Sequence, residues 1–113
     1  MSMLKDLSGK TYKAANGQKT YEVFYASTDL VPVIGELLQE QFGFVPISTP
    51  VIGLDEVVVE LEKDGIKLGI GWDNWSGAYV IGFCEKGSEW VNKISYFLDN
   101  EFEKPKYGKY INV

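Results

Sequence analysis

A chain of 113 residues, 45% hydrophobic and 24% charged, can bury roughly two-thirds of its unfolded surface in one core, so a single domain over 1–113 is expected. It contains neither His nor Arg and carries a net charge of −5, which excludes Ser-His-Asp and Cys-His nucleophiles, His-containing zinc sites, bidentate phosphate clamps and arginine fingers. Residues 1–8 lack the apolar core of a signal peptide and no apolar run approaches the roughly 20 residues that span a bilayer, so a cytoplasmic protein is expected.

The first predicted element is a hairpin over residues 10–25, turning at Asn16-Gly17, a dipeptide that favours positive φ; its firmer arm is residues 20–25. A helix follows, capped by Ser27, Thr28 or Asp29, with Pro32 in its first turn and Gly43 as its stop. Leu30, Val33, Ile34, Leu37 and Leu38 form its apolar stripe, while Glu36, Gln39 and Glu40 turn to water. Residues 44–54 are too apolar for a solvated linker and too broken by Pro46, Pro50 and Gly53 for a helix or central strand. Such a segment has to be covered, either by folding across the core edge or by docking a partner.

Asp64-Gly65 predicts a type I′ turn, and pairing Lys63 with Ile66 across it sets Leu61 opposite Leu68, Val59 opposite Ile70 and Val57 opposite Trp72. The other face then pairs Glu62 with Lys67, Glu60 with Gly69 and Val58 with Gly71. A one-residue slip would destroy this agreement. The next arm, residues 78–84, alternates Tyr79, Ile81 and Phe83 with smaller side chains. A four-residue connection, 73–76, places those three on the face of Ile70, Leu68 and Ile66 and yields a one-sided core, the preferred register; a five-residue loop would lay them over Gly69 and Gly71. Cys84, the one cysteine, has no partner for an intrachain disulfide and is expected as a small buried hydrophobe. A last helix, residues 88–102, starts at Ser88 after Gly87, turns Val91, Ile94, Phe97, Leu98 and Phe102 inward and stops at Pro105. The tail, with Tyr107, Tyr110, Ile111 and Val113, is expected to pack or to add an edge strand. The order strand, helix, three-stranded meander, helix predicts an α+β fold with helices packed on an antiparallel sheet.

Between residues 20 and 62 the chain holds Glu22, Asp29, Glu36, Glu40, Asp55, Glu56, Glu60 and Glu62 with no Lys. A field of that sign attracts basic partners and repels nucleic acid and anionic membrane. Asp55-Glu56 and Glu60 to Glu62 offer oxygen ligands for Mg²⁺ or Ca²⁺, but on the solvent side of a strand a charged face is the ordinary expectation, so no metal and no cofactor is expected. Gly9-Lys10-Thr11 ends like a phosphate loop, yet the required earlier glycine would be position 4, which is Leu4. Gly69-Ile70-Gly71 lacks the third glycine and the helix of a dinucleotide fingerprint.

The densest cluster of specialised residues is Gly71-Trp72-Asp73-Asn74-Trp75-Ser76-Gly77. Asp73 and Asn74 suit an Asx-turn, Gly77 a positive φ, and Trp72 the core, which leaves Trp75 as the first candidate contact residue. Asn74-Trp75-Ser76 also matches a glycosylation sequon, given little weight without a secretory signal. This motif, continuing through Ala78-Tyr79 and followed by an amphipathic helix, resembles small bacterial α+β proteins that include the immunity proteins of toxin systems. The resemblance spans residues 56–102 and implies a non-catalytic cytosolic antidote seated over a toxin's active site, its acidic stretch complementing the basic groove of a nuclease toxin. Trp75, Asp73, Asn74, Glu36, Glu40, Glu56 and Glu60 are the expected contacts with a basic protein partner. The alternative is a small ligand-binding or enzymatic domain with a pocket between sheet and helices, using Asp73 or a Tyr as acid or base.

Overall fold

The computed structural model describes residues 7–53 and 56–111; most of the segment read for a signal peptide, and also Leu54, Asp55 and Val113, lie outside the described residues. The fold is α+β, an antiparallel sheet with helices packed on it. Strands β1 (Gly9–Lys13) and β2 (Lys19–Val23) form the expected hairpin, with Lys10 opposite Glu22 and Lys13 opposite Lys19. Gly17 takes the positive φ of 83°, while Asn16 uses its side chain, accepting from Gln18 N at 2.9 Å and donating to Gly82 O at 3.1 Å. The second arm ends at Val23, earlier than expected, because Tyr25 turns to φ 68°, a conformation no strand continues through.

Helix α1 (Leu30–Phe42) begins at Asp29, which makes no side-chain cap; Leu30 N and Val31 N donate instead to Ser27 O and Thr28 O, at 3.1 Å each. Gly43 ends it at φ 80°, with Gly43 N donating to Gln39 O and Phe44 N to Leu38 O, a glycine-terminated helix end of the expected kind. Two short strands, β3 (Val45–Pro46) and β4 (Val51–Ile52), then run along the edge of β5 (Glu56–Lys63). Phe44 is fully buried, but Val45, Ile47, Val51 and Ile52 remain exposed, so only the start of this apolar segment folds across the core edge.

Strands β5 and β6 (Ile66–Asp73) pair in the expected register from Lys63↔Ile66 to Glu56↔Asp73, around Asp64 at φ 52° and Gly65 at φ 80°. The next register differs from the preferred one. Strand β7 (Gly77–Gly82) sets Tyr79 opposite Gly71 and Ile81 opposite Gly69, while Ala78 and Val80 face the core. Asp73 and Gly77 are themselves paired, and Gly77 adopts φ 72°, which moves every following side chain to the opposite face. Adjacent β2 pairs with β7 through Tyr21↔Val80 and Val23↔Ala78, giving the strand order β1-β2-β7-β6-β5-β3, with β4 also on β5.

Helix α2 runs over Glu85–Glu101, beginning three residues before the expected start. Cys84 is exposed rather than buried, and its thiol accepts from Gly87 N at 3.4 Å as the N-cap. Gly87 is a packing glycine within the helix, not its boundary: a Cβ on the facing Gly82 would lie 2.7 Å from the Gly87 carbonyl carbon. Ser88 instead ties the helix to the first hairpin, accepting from Lys19 N at 2.9 Å and donating to Gln18 Oε1 at 2.8 Å. After Pro105 a 3₁₀ helix, Pro105–Tyr110, buries Tyr107, and the tail closes on the β2–α1 loop through an Ala26↔Ile111 bridge.

Both helices lie on one face of the sheet. Leu30, Ile34 and Leu38 of α1 and Val91, Ile94 and Leu98 of α2 share one core with Tyr21, Val23, Leu61, Leu68, Ile70 and Val80. Phe42 joins the helices by edge contacts to Trp90 and Phe97, with centroids 5.7 and 5.6 Å apart. Tyr21 OH donates to Asp99 Oδ1 at 2.6 Å, and burial raises its phenol well above the ordinary range. No described helix is long and apolar enough to cross a membrane.

Candidate functional site

Strand parity dictates what the uncovered face of the sheet presents. With Tyr21, Val80, Ile70 and Val59 turned to the helices, their neighbours point away: Glu22 on β2, Tyr79 and Ile81 on β7, Gly69 and Gly71 on β6, and Val58 and Glu60 on β5. The two glycines are a trough in which the β7 side chains rest. A Cβ at Gly71 would lie 2.6 Å from the Tyr79 hydroxyl oxygen, and one at Gly69 3.1 Å from both Ile81 and Phe83. The result is an open concavity of about 330 Å³ floored by Val58, Gly69, Tyr79, Ile81 and Phe83 and edged by Thr20, Glu22, Asp73 and Ser76.

Carboxylates frame this apolar floor. Glu56 sits directly opposite Asp73, and Glu22 directly opposite Tyr79. Burial, and to a lesser degree the Asp73 charge, raises the Glu22 carboxyl above its ordinary value, although a hydrogen bond with Ser76 acts the other way. Tyr12 OH also donates to Glu22 Oε1. The Tyr79 phenol is pushed up to about 12, first by burial and then by Glu56, Asp73 and Glu22. Among the described residues the ion pair in direct contact is Lys104 with Glu101, at 2.9 Å and at the end of α2; the carboxylates of the open face make no such contact, although Lys10 stands opposite Glu22 and Lys67 opposite Glu62 at its margins.

At one end of this face the β6–β7 turn is held from within. Asp73 Oδ1 accepts from Trp75 N at 3.0 Å and from Ser76 N at 2.6 Å, the expected Asx-type bonding. Trp75 at the tip is 86% exposed. Trp72 Nε1 donates to Ala26 O at 2.8 Å, joining the turn's base to the β2–α1 loop, where Tyr25 is 56% exposed. Together Tyr25, Ala26, Asn74 and Trp75 line a cleft at this end of the sheet. A large apolar ring on a turn pinned by side-chain hydrogen bonds loses little freedom on binding.

The sequence-derived contact set is therefore divided. Trp75, Asp73, Asn74, Glu56 and Glu60 belong to the open face and its terminal turn. Glu36 and Glu40 do not; they lie on α1, in the helix layer, beside Lys104, Lys106 and Tyr107. Tyr79, Ile81 and Phe83 belong to the site but not to that set, because the preferred register sends residues 79, 81 and 83 to the core; Glu22 joins them only through the β2–β7 pairing. The glycine pair at 69 and 71 was the available signal. Asp73, considered as an acid or base between sheet and helices, instead faces away from the helices, and the space between the layers is filled by Tyr21, Phe44 and the aliphatic core. Among the described residues no group of three His, Cys, Asp or Glu is placed to hold a metal. Compared with protein-family models, curated proteins and solved structures, the chain has no match.

Proposed function

We propose that the protein is a non-catalytic binding protein that neutralises a basic protein partner, in the manner of a toxin-system immunity protein. One observation carries the reading: both helices cover the same side of the sheet, leaving an opposite face with an aromatic and aliphatic floor, bordered by Glu22, Asp73, Glu56 and Glu60, none of which is held in a close ion pair among the described residues. A surface of this composition suits the substrate groove of a nuclease-type toxin. Its carboxylates accelerate encounter with a Lys- or Arg-rich surface, by a factor on the order of 10 to 1,000 at low salt. The rings of Trp75, Tyr79 and Phe83 supply the desolvated contact that slows dissociation. Cytoplasmic placement follows from that role, since an antidote must meet the toxin where its target is.

The test is protection. A toxin domain encoded beside this chain's gene is induced in cells with the wild-type chain, with Trp75→Ala, or with Glu22→Gln, Glu56→Gln and Glu60→Gln combined. Survival with wild type and its loss with folded variants is the expected result. A metabolic gene neighbourhood, together with turnover of a small substrate abolished by Asp73→Asn, would instead favour the enzymatic alternative.

A further inference from the structure

Residues 41–54 form the longest run of this sequence without a charged side chain, and within it residues 44–53 make the β3/β4 edge of the sheet. Val51 and Ile52 are 67% and 75% exposed there. Beside them a groove of about 400 Å³ opens against the start of α1, walled by Val31, Pro32, Pro46, Pro50, Ile52 and Val57, with Glu36 the one charged side chain of its lining.

We infer that this edge is the interface of a symmetric homodimer. Shape gives the first argument. A prominence and a hollow lie side by side on one patch: Ile52 stands out from the surface and is also a wall of the groove. A two-fold axis beside the patch seats Ile52 of each copy in the groove of the other, the self-complementarity that an isologous contact requires. Charge gives the second. Two copies that each carry −5 repel wherever their carboxylates meet, and this edge is where the chain concentrates apolar area with least charge. Glu36 is the single carboxylate of the groove's lining, so a basic partner finds little to hold on this edge and a second copy meets little repulsion there. The contact is made by side chains and not by strand addition, because β3 and β4 are two residues long and Pro46 and Pro50 have no N–H to donate. The inference stands apart from the acidic face and does not depend on its partner.

Sedimentation equilibrium of the full chain across micromolar concentrations tests it. The expected mass is twice the 12.7 kDa of the chain, falling towards one chain on dilution. Ile52→Glu and Val51→Lys, each at an exposed position, should give a single-chain mass with unchanged circular dichroism, while Trp75→Ala should remain dimeric. If either variant loses its fold, Ile52→Ser replaces it, with at least a tenfold weaker dimer expected. A wild-type chain that stays at 12.7 kDa up to about 100 μM, well above the Kd of a specific interface, overturns the inference. So does a dimer that every edge variant leaves intact.

Discussion

Glu22 sets stability against binding. Its carboxyl is raised by burial and by Asp73, so the folded state favours the protonated form more than the unfolded chain does, and ionisation at neutral pH costs stability. Glu22→Gln is therefore expected to raise the melting midpoint at pH 7, with the gain fading as the pH falls through the carboxylate range, where the wild-type group is protonated in both states. The same variant should weaken binding of a basic partner. Melting curves at pH 7 and pH 4 check the first half; a Gln variant no more stable than wild type at pH 7 would refute it. Trp75 carries the opposite signature: Trp75→Ala should leave the melting midpoint unchanged, since the ring is 86% exposed, and should raise the off-rate at a cost of about 2 kcal/mol of affinity or more. Trp75 and Asp73 were legible in the sequence because a tight turn concentrates them among residues with few other uses. Glu22 and Tyr79 were not, since they meet only through the β2–β7 pairing, more than fifty positions apart. Cys84 departs from the buried role its neighbours suggest for a local reason: the apolar run ends one residue before it, and its thiol caps a helix instead of filling the core.

Two elements show what a sequence pattern can and cannot fix. The β5–β6 hairpin was legible down to its register, because the Asp64-Gly65 turn and the alternation of both arms agree independently. Replacing the pair by Asp64→Val with Gly65→Val is expected to destabilise the protein by about 1–3 kcal/mol, read as a lower urea midpoint, because both positions hold positive φ. The β6–β7 register was not legible. Its two candidates differ by one loop residue, and both faces of β7 carry apolar side chains that would suit a core. Helix α2 starts earlier than its sequence pattern suggests because Gly87 is a contact point and not a boundary: Gly82→Ala would drive a Cβ to 2.7 Å from the Gly87 backbone. Gly82→Ala is expected to cost about 1–3 kcal/mol, and Gly108→Ala, where no atom lies within 4 Å of the added carbon, close to nothing. Equal midpoints for these two variants would show that β7 and α2 can separate without penalty.

Across the whole molecule, the acidic stretch conspicuous in the sequence is split between two layers, with Glu36 and Glu40 on the helix side and Glu22, Glu56 and Glu60 on the open face. Neutralising the second group is thus expected to lower the on-rate for a basic partner and flatten its salt dependence, while neutralising Glu36 and Glu40 does so less. Stopped-flow association at two ionic strengths compares them; an equal effect of both groups would mean that the molecule steers by net charge alone. Helix α1 bears on this through connectivity. It carries the chain from the first hairpin to the far side of the sheet, so that Lys10 and Lys13 lie on β1 and Glu56, Glu60 and Glu62 on β5, four strand spacings or about 19 Å apart. Along the sheet, β1 is thus a basic margin, whereas β5, with Lys63 at its end, is predominantly acidic. A charged neighbour pulls on these two strands in opposite senses, and so turns the sheet as well as drawing it in.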